Sequence, residues 1–419
     1  MIGRRNIFKA LAATVTAGLL LGLLRRIPGV PVTPRYPDFA PSDFPGELFE
    51  AVTDDGLTLR GKRYANEGAV PLILLAGIYG NGFNFDIAFE RSNFALYLAR
   101  RGYDVWVCNF RGTGREPYKS DEGDFSHYIQ DLCIYDLAAL IREVTKETGR
   151  KPVLMGHSMG GVICYGYLQG AKYGEDDGAK RLMSDPELAR ERNENVAAMV
   201  SLAGPASFHW PKDSRYYWLV GNPPARLILR ASRALLIRLS QRTGRVPAEA
   251  TVVNLVNRAP RLAHIVLTIG YYFFANLKNI NREMLMEAAL SGISDISVRE
   301  QYQLVNALLT GDLIASSAGR GEPPDAQHNL TLNMHLISAP ILFAAAELDA
   351  VHPAVLHRDG FERVASDIKE FKCFTGYGHM DLIHGLEAGG TVFPCVADWL
   401  EKVLSGKPGE RKDDGVITA

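Results

Sequence analysis

A serine sits between two glycines in Gly156-His157-Ser158-Met159-Gly160, just after the short apolar run Pro152-Val153-Leu154-Met155 and ahead of a helix-compatible run to Leu168. Gly-x-Ser-x-Gly directly after a strand is the sequence form of a sharp strand-to-helix turn that lifts a serine hydroxyl above a sheet, where it can act as a nucleophile. The glycines let backbone and helix pass close to the strained serine. The five residues alone are a weak signal, because a tight turn with an incidental serine has the same pattern. Their context is stronger: a buried-type strand before, a helix after, and an acid and a histidine later in the order Ser, Asp, His.

The acid is expected just past a late apolar strand, Ile341 to Ala346, in Glu347-Leu348-Asp349-Ala350-Val351-His352-Pro353. A carboxylate there lies at the carboxyl edge of a parallel sheet, so Asp349 is placed to orient a histidine. Glu347, within the strand end, is the competing acid. The histidine is His379, in Gly376-Tyr377-Gly378-His379. Of ten histidines it alone follows both the acid and a final strand in a glycine-rich turn. His384 is the runner-up, with a capping or packing role in the following helix as its alternative. The other catalytic parts are backbone amides. The run Pro71 to Ala76 ends in Gly77-Ile78-Tyr79-Gly80-Asn81-Gly82. In hydrolases with such a serine turn, a loop at this place in the chain supplies one N–H of an oxyanion hole and the residue after the serine supplies the other. Those donors are Ile78 and Met159. A βα loop that needs positive φ angles accounts for Gly80 and Gly82 equally well.

The elements that must position these residues read as one large α/β unit. The chain has 419 residues, 47% hydrophobic and 22% charged, with net charge −1. That balance describes a globular protein with a large core and gives no reason to expect nucleic acid as a partner. The five cysteines are odd in number and mostly set in apolar runs, which reads as buried thiols and not as a disulfide framework or zinc site. A hairpin over Leu48–Thr53 and Leu57–Tyr64 opens the folded part. Strands then alternate with helices Phe94–Arg101 and Ile129–Thr148, which implies a mostly parallel sheet with both faces covered. The acid-rich stretch Gly174–Asn195 reads as a solvated loop or helix.

Two stretches break this rhythm. Before residue 47, Arg4-Arg5-Asn6-Ile7-Phe8-Lys9 leads into the apolar run Ala10–Leu24, and six prolines follow between Pro28 and Pro45. The paired arginines resemble a bacterial twin-arginine export signal, and the 15-residue run suits a signal segment better than a spanning helix. No small-residue cleavage site follows, so residues 1–46 are expected to be an uncleaved or poorly cleaved anchor with an extended spacer, holding the protein at a membrane on its exported side. A cytoplasmic protein with an apolar N-terminal helix is the alternative. Residues 205–330 form the second break, a helical cap or lid between core parts 47–204 and 331–405, with 406–419 a disordered tail. From Lys212 to Lys278 the cap has eleven lysines and arginines against two acids. Arg226, Arg230, Arg233 and Arg238 lie along a Leu- and Ile-rich helix, which reads either as a membrane-surface element or as an ordinary solvated face.

Taken together, Tyr103-Asp104-Val105-Trp106-Val107 with Arg111-Gly112, Asp124-Phe125-Ser126, Tyr135-Asp136-Leu137, the serine turn and Gly378-His379-Met380-Asp381-Leu382 resemble the α/β-hydrolase superfamily. Within it they resemble the acid (gastric and lysosomal) lipase group and its bacterial relatives. The resemblance implies an α/β-hydrolase fold, ester hydrolysis by the triad and oxyanion donors already named, and a lid in the cap. Ala76 stands where the family usually has histidine, Met159 replaces a glutamine, and the cap has no clear match.

The expected chemistry is acyl transfer through a serine ester of a hydrophobic substrate, with no metal or organic cofactor required. The same triad suits an acyltransferase or thioesterase. A non-catalytic, membrane-associated binding protein on the same fold is the reading from a different class. Acyl chain length, alcohol and oligomeric state have no signature in the sequence.

Overall fold

The computed structural model describes residues 46–176, 179–210, 212, 223–239, 244–312 and 330–406. The apolar N-terminal run, the proline-rich spacer and the tail from residue 407 lie outside the described residues. No helix among the described residues is long and apolar enough to cross a membrane.

The chain opens with the antiparallel hairpin β1 (Glu47–Val52) and β2 (Thr58–Tyr64). The α/β alternation follows as β3 (Pro71–Leu75), α1 (Phe94–Arg100) and β4 (Asp104–Cys108). Next come α2 (Ile129–Asp131), a π turn at Leu132–Asp136, and α3 (Leu137–Thr148). The serine turn then joins β5 (Val153–His157) to α4 (Met159–Leu168). The acid-rich stretch expected as a loop or helix instead begins with a hairpin, β6 (Ala171–Asp176) and β7 (Ala179–Ser184), before α5 (Pro186–Glu194). Its strands are tied down by buried Leu182 and by Tyr173, which packs on the core and donates its hydroxyl to Asp131. The last core strand before the helical segment is β8 (Ala198–Leu202).

The helical segment contains α6 (Pro223–Leu239), β9 (Arg245–Val246), α7 (Ala248–Arg258), α8 (Pro260–Phe274), α9 (Arg282–Ser291), β10 (Ile296–Ser297) and α10 (Val298–Thr310). The core resumes with β11 (Ile341–Ala346), α11 (Ala354–Arg363), β12 (Lys369–Phe374), α12 (Asp381–His384) and α13 (Val392–Leu404).

Eight strands form one sheet in the order β1-β2-β4-β3-β5-β8-β11-β12. The β1–β2 and β2–β4 pairs are antiparallel, and every later pair is parallel. Central strands are buried on both faces, and their residues alternate between two apolar cores. Ile73, Leu75, Trp106, Leu154, Phe343 and Ala345 join one core, together with the helices α3 and α4. Leu72, Leu74, Val105, Met155, Leu342 and Ala344 join the other, with α1 and α13. Phe94 of α1 stacks on Phe393 of α13 at 3.9 Å between ring centroids, which locks these two helices over their face of the sheet. The carboxyl ends of the parallel strands therefore form a rigid rim, the ordinary place for a site in an open α/β sheet.

Candidate active site

Ser158 stands at the tip of β5 with φ 54° and ψ −120°, a backbone conformation an L-residue adopts only when its surroundings enforce it. The enforcing parts are the two glycines. A Cβ on Gly156 would lie 2.4 Å from the Gly160 carbonyl carbon, and one on Gly160 would lie 2.3 Å from the Leu75 carbonyl oxygen. The Ser158 amide donates to Leu202 O at 2.8 Å, fastening the turn to β8.

Across the rim, His379 Nδ1 donates to Asp349 Oδ2 at 2.7 Å, and both residues are buried. The second oxygen of Asp349 accepts the Val351 and His352 amides at 2.8 and 2.7 Å, so its carboxylate is fully held. The competing acid, Glu347, is exposed and accepts the Gly376 amide, capping the neighbouring turn. The runner-up histidine, His384, is buried with Nε2 on Asn84 O, and burial pushes it down to about 4. It serves as a packing residue. Among the described residues no hydrogen bond joins Ser158 Oγ to the His379 ring, although both line one cavity. Such catalytic contacts often close only around substrate.

Gly77 lies directly against the serine: a Cβ there would be 2.8 Å from Ser158 Cβ and 3.3 Å from its Oγ. The amides of Ile78 and of Met159, the first residue of α4, have no acceptor among the described residues. Free N–H groups beside a nucleophile are what an oxyanion hole requires. Tyr79 follows with φ 61°, another enforced conformation. It is pinned by the helical segment, for Tyr79 O accepts the Ser294 amide at 2.8 Å and its hydroxyl donates to Gln301 at 2.7 Å. Ser294 Oγ in turn accepts from Asn81 Nδ2 at 2.9 Å.

The cavity between rim and helical segment has a volume of about 540 Å³, within the usual range for a small-molecule site. Ile78, Val246, Val252, Phe274, Ile293 and Met380 supply apolar wall, and no Asp, Glu, Lys or Arg lines it among the described residues. Two further histidines flank His379, with ring centroids 4.8 Å (His157) and 5.4 Å (His352) away. Burial, and then the neighbouring His379, hold both well below the usual histidine range, so they stay uncharged. His157 is a residue that the sequence reading passed over. Its Nε2–H donates to the His379 carbonyl at 3.1 Å, tying the serine turn to the histidine loop. Its signal was its place inside the Gly-x-Ser-x-Gly pattern.

The expected arginine face divides. Arg226 and Arg233 are half-buried and turn toward α10, reaching Leu309 O and the Tyr302 hydroxyl. Arg230 and Arg238 are exposed, alongside Leu227, Ile228 and Leu235. Arg245, further on, pairs with Glu122 and Asp295 and stacks on Phe125.

The chain superposes on an esterase from Exiguobacterium antarcticum with a TM-score of 0.52 at 15% identity, over 85% of this chain and 100% of that one. Residues 70–223 match the family described as the alpha/beta hydrolase fold. This chain has the α/β-hydrolase fold. Within that fold its sequence is similar to lipases. Human gastric triacylglycerol lipase is 34% identical over 134 residues, covering 29% of this chain and 34% of the lipase. Triacylglycerol lipase 2 of Arabidopsis thaliana is 24% identical over 379 residues, covering 85% of this chain and 84% of that protein. The chain spans about a third of the length of the first curated relatives it matches, from 28% of Lipase 1 of Drosophila melanogaster to 34% of the human lipase. The family match over residues 70–223 takes in the serine turn.

Proposed function

We propose that this protein is a serine hydrolase that cleaves carboxylic esters of hydrophobic acids through an acyl-enzyme on Ser158. The observation that carries the reading is the enforced Ser158 turn sharing an apolar cavity with a His379–Asp349 pair at 2.7 Å. His379 takes the serine proton as Oγ attacks the ester carbonyl. Asp349 fixes the imidazole tautomer and stabilises the imidazolium. The Ile78 and Met159 amides bind the oxyanion as charge develops on it. His379 then returns the proton to the departing alcohol, and water attacks the acyl-enzyme by the same route in reverse. The absence of charged side chains around the cavity among the described residues favours a neutral, apolar acyl chain, since a charge there would be left without a partner of opposite sign.

In the same reading the helical segment is a cap that meets lipid. Its outer helices expose Leu227, Ile228 and Leu235 on α6 and Leu262, Ile265 and Val266 on α8, beside Arg230 and Arg238. Apolar side chains enter the headgroup boundary and each arginine near an anionic surface adds about 1 kcal/mol. The twin-arginine-like segment would deliver the protein to the exported side of a membrane and keep it there.

A soluble butyrate ester compared with a long-chain ester in anionic vesicles tests the reading. The wild type is expected to cleave both. Replacing Leu227, Leu235, Leu262 and Ile265 together by serine should leave the soluble rate within about twofold, as surface changes do. The vesicle rate should fall by about tenfold or more, because several apolar contacts with lipid are lost. A quadruple variant with full vesicle activity removes the lipid-surface reading, and a wild type that cleaves no ester of any chain length removes the hydrolase reading.

A further inference from the structure

The loop that carries His379 is fastened to the helical segment through one buried acid that the triad does not use. Asp381 is completely buried, and its Oδ2 accepts three hydrogen bonds. The donors are the Gly378 amide at 2.8 Å, the Asn276 amide at 3.1 Å and Asn279 Nδ2 at 3.0 Å. Both asparagine side chains also donate to Gly376 O, at 2.8 and 2.9 Å. The Met380 amide donates to Phe274 O at 2.6 Å and the Leu386 amide to Asn279 O at 2.7 Å. The Gly376 carbonyl before His379 and the Met380 amide after it are thus held by the end of α8 and the loop behind it. The fit leaves no slack, since a Cβ on Gly378 would lie 2.6 Å from the Asn276 nitrogen.

An acid in this place is costly. Its Oδ1 is buried without a partner among the described residues, and burial pushes its carboxyl up to about 7 against the three hydrogen bonds that favour the charge. A fold that needed only a well-packed loop would be cheaper with a neutral residue here. Convergence of three donors on one oxygen is what a carboxylate does better than a neutral group, because charge-assisted hydrogen bonds are shorter and stronger.

We propose that Asp381, with Asn276 and Asn279, is a positioning residue that makes the helical segment part of the holder for the general base. His379 then has three handles: Asp349 on its ring, His157 on its carbonyl, and the Asp381 cluster on the Gly376 carbonyl and Gly378 amide just before it. The segment from Phe274 to Asn279 is accordingly fixed against the histidine loop. The proposal rests on the ester-hydrolase reading above for its kinetic arm and stands apart from it in its exchange arm.

Removing a buried acid endangers the fold, so the test is the double variant Asn276→Ala/Asn279→Ala in the full chain. Neither residue lines the cavity. On a soluble short-chain ester, kcat should fall by about tenfold with KM within about twofold, the signature of a displaced base with substrate binding intact. Amide hydrogen exchange at Gly378 and Met380 should quicken by about tenfold, while the Ser158 amide, bonded to Leu202, keeps its protection. Unchanged kcat together with unchanged exchange at Gly378 and Met380 overturns the proposal. So does a loss of protection at Ser158 equal to that at Met380, which would mean general loosening of the core. A wild type without ester hydrolysis defeats the functional reading alone, and the exchange arm still decides whether the cluster holds the loop.

Discussion

The serine turn and the two loops facing it are built in different ways. The turn is made chiefly by the sheet and α4: Gly156 and Gly160 have no room for a Cβ, and the Ser158 amide is bonded to the adjoining strand. The histidine loop and the Gly77–Gly82 loop lean on the helical segment, through Asn276 and Asn279 on one side and Ser294 and Gln301 on the other. α9 lies in the chain between these two sets of anchor points. On the proposed reading, a nucleophile fixed by the core and a base and oxyanion donor fixed through an insertion would have separate vulnerabilities. Change in the insertion should then alter how fast the serine reacts before it alters whether the serine is there.

The comparison breaks most severely on the base side at Asp349. Asp349→Asn should leave the serine turn intact and lower kcat by about 10⁴, because His379 would be held in the wrong tautomer. The check is kcat on a soluble ester with a circular dichroism spectrum matching the wild type. A wild-type rate there, with Glu347→Gln inactive, would move the orienting acid to Glu347.

A smaller effect sharpens the oxyanion side. Ser294→Ala removes one of the two acceptors of Asn81 Nδ2, the other being Ser291 O, and the acceptor of the Gly114 amide at 3.2 Å. Leaving buried donors unpaired costs about 1–3 kcal/mol of stability each. The Tyr79 loop should relax, and kcat should drop about tenfold, short of the 10²–10³ seen when an oxyanion donor is lost outright. Thermal melting and kcat at saturating soluble ester read the two effects separately. A large stability loss with unchanged kcat would show that the Tyr79 loop keeps its shape without Ser294.

What was legible in the sequence follows the same division. The central strands are continuous apolar runs, the serine turn is a five-residue pattern, and Asp349 and His379 sit at recognisable strand ends, so local rules reach all of them. The supports of the two loops are pairs such as Asn81 with Ser294 and Asn279 with Asp381, more than a hundred residues apart, and no spacing announces them. Asp381 was visible only as one residue of a matching motif. The β6–β7 hairpin was missed because its charges hid the few apolar positions that anchor it, Tyr173 and Leu182 among them. Spacing alone sets the arginines along one apolar helix, whereas long arginine stems turn sideways to pack, as Arg226 and Arg233 do on α10.

The central claim is that Ser158 is an activated nucleophile, and covalent labelling by a fluorophosphonate reads that most directly. The wild type should be labelled at Ser158, found by mass spectrometry of the modified peptide, and should lose ester hydrolysis in step with labelling. Ser158→Ala, which removes only a hydroxyl, should fold normally, take no label and cleave no ester. A label on another residue, or full hydrolysis by Ser158→Ala, would contradict the account.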